Sequence, residues 1–132
     1  MAKKILIVDD EAPLRNILRK FLEKGGYEVF DAASGKEALG ILEEEHIEVM
    51  FLDLLLPDTN GIELCRKIKE ENPISVLYAM TAKTSLFELP DCIEAGFVDY
   101  FPKPLKREKI LSAAQAAFER LGRWRGHEET ER

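Results

Sequence analysis

The chain has 132 residues, enough for one compact domain and too few for two. A net charge of −6 argues against a nucleic-acid or anionic-membrane surface, since both favour a basic patch. Hydrophobic residues at 45% exclude wholesale disorder, and no apolar run reaches the length of a membrane-spanning helix.

Lys4 to Val8 is a continuous apolar strand that stops at Asp9. That run is too short for the core of a secretory signal, so a cytoplasmic location is expected. Glu11 to Lys24 carries Leu14, Ile17, Leu18, Phe21 and Leu22 at the spacing of an amphipathic helix, with Pro13 in its first turn and Gly25-Gly26 at its end. Tyr27 to Ala32 is a second strand. Ser34-Gly35-Lys36-Glu37 is a capping box opening a helix to about Glu45.

Ile47 to Leu52 is a third strand, ending at Asp53. A helix follows from Gly61 to about Glu71, closed by Asn72-Pro73. Ile74 to Met80 is strand four, and a fourth helix ends near Ala95-Gly96. Pro90 is tolerable in that helix's first turn and not in its interior. The helix should therefore start close to Pro90, with 83–89 irregular. Phe97 to Phe101 is strand five. Leu105 to Leu121 is the last helix, and 122–132 is expected to be a frayed or disordered tail.

Five strands alternating with five helices imply a parallel sheet covered on both faces, an α/β three-layer sandwich. The expected topology is flavodoxin-like, (βα)5 with strand order 2-1-3-4-5. Ligands in such sheets bind beyond the C-terminal strand ends, where the strand order reverses. Asp9 and Asp10 follow strand one, Asp53 ends strand three, Thr81 ends strand four and Lys103 follows strand five. Carboxylates about 4 Å apart repel by roughly 4 kcal/mol per pair at an effective dielectric near 20. A hard divalent cation with oxygen ligands relieves that repulsion.

At these residues the chain resembles the receiver domain of two-component response regulators, the CheY-like superfamily. The matching elements are Ile-Val-Asp-Asp at 7–10, Asp53-Leu-Leu-Leu-Pro57 with Gly61, Thr81-Ala82, and Asp99-Tyr100-Phe101-Pro102-Lys103-Pro104. The resemblance implies a receiver domain over 1–121 with Asp53 as phosphoacceptor. It implies Mg2+ (or Mn2+) held by Asp10, Asp53 and the Leu55 carbonyl, with Asp9 acting through a water. Lys103 would pair with the acceptor and then with the phosphoryl group. Thr81 and the Ala82 N–H would bind a phosphoryl oxygen, and Thr81 with Tyr100 would form the switch. A cis Lys103–Pro104 peptide is also implied.

The implied donor is a histidine kinase or histidine phosphotransfer protein, with a downstream protein target, no nucleic acid and no membrane insertion. A monomer or a weak phosphorylation-dependent dimer fits this reading, acting as a regulator or as a relay intermediate. The chain would be a signalling phosphoacceptor rather than an enzyme.

Three alternatives differ in class. A haloacid-dehalogenase-like phosphohydrolase needs Asp-x-Asp after strand one, where this chain has Asp9-Asp10-Glu11. A flavin carrier needs a phosphate loop there, which those carboxylates would repel. A degenerate receiver would act only as a binding module. His46 and His127 read as surface residues, Cys65 and Cys92 as reduced packing residues. Arg120, Arg123, Trp124 and Arg125 form a basic aromatic cluster near the C-terminal end.

Overall fold

The computed structural model describes residues 2–82 and 88–131. Strands β1 (Lys4–Val8), β2 (Glu28–Ala32), β3 (Val49–Asp53), β4 (Val76–Thr81) and β5 (Asp99–Pro102) alternate with helices α1 (Ala12–Lys24), α2 (Gly35–Glu44), α3 (Gly61–Glu71), α4 (Glu88–Ala95) and α5 (Arg107–Glu131). The five strands are parallel and lie in the expected order β2-β1-β3-β4-β5.

The period-two geometry of a strand divides the core in two. Leu6 and Val8 of β1 face one way, against Ala38 of α2, Leu64, Cys65 and Ile68 of α3, and Cys92 and Ala95 of α4. Ile5 and Ile7 face the other way, against Leu18 and Leu22 of α1 and Ile110, Ala114, Ala117 and Leu121 of α5. Because both faces are covered, every residue of β3 and β4 is buried. Three apolar residues read from the sequence as strand starts, Ile47, Ile74 and Phe97, instead precede the ladders, which begin two residues later.

The helix ends follow local chemistry. Ser34 Oγ accepts from Glu37 N at 3.1 Å, and Glu37 Oε2 accepts in return from Ala33 N at 3.2 Å. Asn60 Oδ1 caps α3 through Glu63 N at 2.9 Å. Pro90 is the third residue of α4, within its first turn, where a missing N–H breaks no helical bond. Residues 83–87 of the segment expected to be irregular lie outside the described residues, and Leu89 is helical.

The C-terminal end departs from expectation. Residues 122–132 read as a frayed tail, yet α5 continues to Glu131. Gly122 and Gly126 lie within this extension, and each costs only about 1 kcal/mol relative to Ala in an exposed helix. The Arg125 guanidinium pairs with the buried Glu48 carboxylate at the start of β3, tying the extension to the sheet. Among the described residues no helix is long and apolar enough to cross a membrane.

Candidate functional site: a carboxylate cluster with one lysine

The strand register builds the site. Val8 of β1 pairs with Leu52 of β3, so Asp9 and Asp53 leave the sheet side by side. Thr81 pairs with Pro102, and Lys103 N donates to Thr81 O at 2.8 Å. Lys103 thereby folds back over the same edge. Its peptide bond to Pro104 is cis.

Lys103 Nζ donates to Asp53 Oδ2 at 3.0 Å and lies 2.8 Å from Asp9 Oδ2 and 3.3 Å from Glu11 Oε2. Asp10 completes the cluster, with carboxylate oxygens of Asp9, Asp10 and Asp53 all within 4.8 Å of one another. Asp9 is wholly buried and Asp53 nearly so, whereas Asp10 is exposed. Four carboxylates, counting Glu11, thus face one ammonium.

The electrostatics follow from that imbalance. Burial, aided by the Asp53 charge, raises Asp9 above the usual carboxylate value, against the opposing pull of Lys103 and the Glu11 N–H. Burial alone would lower Lys103, but Asp9 and Asp53 together outweigh it and hold the ammonium protonated. Asp9 Oδ1 accepts from Glu11 N at 2.8 Å. Asp9 Oδ2 is in ion-pair contact with Lys103 without hydrogen-bond alignment, and it is the one buried side-chain oxygen or nitrogen left unsatisfied among the described residues. Three aspartates whose carboxylate oxygens lie within 4.8 Å of one another, with one ammonium among them, fit a hard divalent cation.

Asp53 Oδ1 accepts from Leu55 N at 3.1 Å, which fixes the Asp53 carboxylate against its own loop. Leu55 bridges Asn60 across that loop, and Gly61 N donates to Leu54 O at 2.8 Å. Gly61 is required there, because a Cβ would stand 2.6 Å from Asp53 O and 2.8 Å from Leu54 Cα. Thr81 is buried at the end of β4, with Ala82 exposed beside it. Tyr100 is half-buried and packs with the apolar cluster instead of the charged one. The Leu55 side chain points to solvent.

Three contributors escaped the sequence reading. Arg15 Nη1 donates to Asp9 O at 2.6 Å while its Nε reaches Asp31 Oδ2 at 3.3 Å, bracing the end of β1. Glu11 shares Lys103. Asp58 caps α2, with Oδ1 accepting from Gly35 N and Oδ2 from Lys36 N, both at 2.9 Å. His46 is 3.5 Å from Glu48 at the start of β3, the end of that strand opposite Asp53.

Comparison with known proteins agrees with this geometry. The family model described as the response regulator receiver domain matches residues 5–115. A CheY-like receiver domain protein from Methanospirillum hungatei JF-1 is 31% identical, with a TM-score of 0.87 over 93% of this chain and 99% of the other. The BeF3-activated DrrB receiver domain is 32% identical, with a TM-score of 0.83 over 90% and 99%. The beryllofluoride-activated NtrC4 receiver domain, solved as a dimer, is 32% identical, with a TM-score of 0.85 over 89% and 97%.

Proposed function

Because the chain belongs to the response regulator receiver family, we propose that it accepts a phosphoryl group on Asp53 from a histidine kinase or phosphotransfer protein, and that this switches a protein-binding surface. The observation that carries the reading is Lys103 Nζ set between the carboxylates of Asp9 and Asp53, with Asp10 completing the cluster. In the transfer, an Asp53 carboxylate oxygen bonds to phosphorus as the phosphorus–nitrogen bond of the donor imidazole breaks, and the imidazole takes up a proton.

Such transfer depends on positioning and charge neutralisation more than on covalent assistance. Leu55 N and Lys103 Nζ hold the two oxygens of the nucleophile. Lys103 then follows the charge onto a phosphoryl oxygen, as a compact cation suits phosphate. Thr81 and the Ala82 N–H receive another. Asp10, Asp53 and the Leu55 carbonyl, with Asp9 behind them, would hold Mg2+, which when bound supplies neutralisation of the transferring oxygens. Tyr100, half-buried beside β4, is the side chain that would follow Thr81 inward. The compartment consistent with this role is the cytoplasm.

The phosphohydrolase reading requires Asp9 as nucleophile. The Asp-x-Asp motif that reading needs is absent, since residue 11 is Glu. A binding-only module needs neither the three clustered aspartates nor Lys103. Acetyl phosphate with Mg2+ separates these readings. Mass spectrometry should find one phosphoryl group on wild type and none on Asp53→Asn. Equal labelling of the variant, or turnover of phosphomonoesters, refutes the assignment.

A further inference from the structure

The cluster of Arg120, Trp124 and their neighbours has no part in phosphoryl chemistry, and the fold gives it a setting. Arg120 and Trp124, one turn apart on α5, form one wall of a groove of about 580 Å³. Ile74, Ile93, Val98 and Lys69 supply the others. The groove lies before β4 and β5 and past the C-terminal end of α4, at the end of the sheet away from Asp53. Seven large apolar side chains are exposed among the described residues, and four of them, Ile74, Ile93, Val98 and Trp124, line this one groove. Such concentration marks an interaction site, whereas scattered exposed residues do not.

The charge of the groove is opposite to that of the chain. Its lining holds two cations, Lys69 and Arg120, and no carboxylate, on a chain of net charge −6. Lys69 Nζ is turned to the Pro73 and Ser75 carbonyls at 2.6 and 2.8 Å. Arg120 makes no ion pair among the described residues, and its charge adds to burial in pushing the Lys69 ammonium down. The helix turn that carries Trp124 is anchored, since the next residue, Arg125, is paired with buried Glu48. A half-exposed tryptophan one turn from an arginine that has no ion pair among the described residues is the composition of a binding hot spot.

We propose that this groove docks an apolar, acidic peptide segment of another protein, with an aliphatic or aromatic residue between Trp124 and Ile93 and a carboxylate facing Arg120 and Lys69. A second copy of this chain fits less well, because a two-fold contact would set Arg120 and Lys69 against their own equivalents. Nucleic acid fits less well because the walls are mainly apolar. The inference goes beyond the phosphoacceptor reading and requires neither metal nor phosphoryl group.

The test is selection of a random-peptide phage library on the full chain. Binding of the enriched synthetic peptides is then followed through Trp124, the single tryptophan. Enriched peptides should carry Asp or Glu next to aliphatic or aromatic residues and shift Trp124 emission saturably. Their affinity should fall with salt and drop at least about tenfold in both Arg120→Glu and Ile93→Asp. Circular dichroism of both surface variants should match wild type. Failure to enrich, enrichment of basic or charge-indifferent peptides, or unchanged binding in the two variants overturns the proposal. So does an emission shift produced by a single-stranded oligonucleotide and not by acidic peptides, or self-association on sedimentation that Ile93→Asp abolishes.

Discussion

Asp58 and Gly35 are 23 residues apart in the chain, yet the Asp58 carboxylate caps the helix that Gly35 begins. The loop that follows Asp53 is thereby fastened to α2. The fit is close: a Cβ on Gly35 would stand 2.5 Å from Thr59 Cγ2. The Gly35 and Lys36 N–H groups hold the Asp58 carboxyl below its ordinary value of 3.8. A carboxyl depressed on folding stabilises above its unfolded pKa, and the contribution is lost as pH falls through the folded one. The melting temperature of Asp58→Ala should therefore lie below wild type at about pH 6, with the gap closing below about pH 4. The group is exposed, so salt should narrow the gap as well. A gap independent of pH would contradict the capping role.

Mg2+ should stabilise the folded protein in the absence of any phosphoryl donor, because it relieves the repulsion among Asp9, Asp10 and Asp53. At 100 times its dissociation constant the contribution is about 2.7 kcal/mol. Asp10→Ala should abolish the Mg2+-dependent rise in melting temperature while leaving the metal-free protein folded. An undiminished rise in that variant would place the ion elsewhere.

The aspartyl phosphate should be long-lived. Hydrolysis needs a water in line with the phosphorus, opposite the Asp53 oxygen. Leu55, two residues past Asp53 and exposed, offers such a water no hydrogen bond. Lys83, two past Thr81, is the other flanking candidate and lies outside the described residues. Leu55→Asn should speed decay of the phosphorylated protein several-fold by the loss of radiolabel. Unchanged or slower decay removes Leu55 as the shield.

Both thiols should be inert in the native protein. Cys65 and Cys92 are buried between α3 and α4, and burial pushes the Cys65 thiol up to about 12. Its thiolate fraction near pH 8 is then about one in ten thousand. Ellman's reagent should titrate neither cysteine in buffer and both in denaturant. Rapid reaction of either in buffer would mean that α4 opens readily from α3.

The order of the strands and the meeting of Asp9, Asp10, Asp53, Thr81 and Lys103 could be read from the chain. Each of these residues stands at the end of an apolar run, and a parallel sheet brings those ends to one edge. Asp58 and Arg15 could not be read, because their partners are set by loop packing and by the rotation of α1, neither of which leaves a periodic trace. The end of α5 was misread for a related reason. Gly122 and Gly126 are local breakers, while the Arg125–Glu48 pair that holds the helix spans 77 residues.

All five strands point the same way, which gives the molecule two chemically distinct poles. At roughly 3.3 Å per residue, the six residues of β4 set these poles about 20 Å apart. The carboxylate cluster at one and the groove beside Trp124 at the other share no side chain. On the two proposals above, a phosphoryl group on Asp53 need not displace a peptide beside Trp124. Any influence of one occupant on the other has to travel lengthwise through the strands, as a measurable coupling free energy that acts equally in both directions.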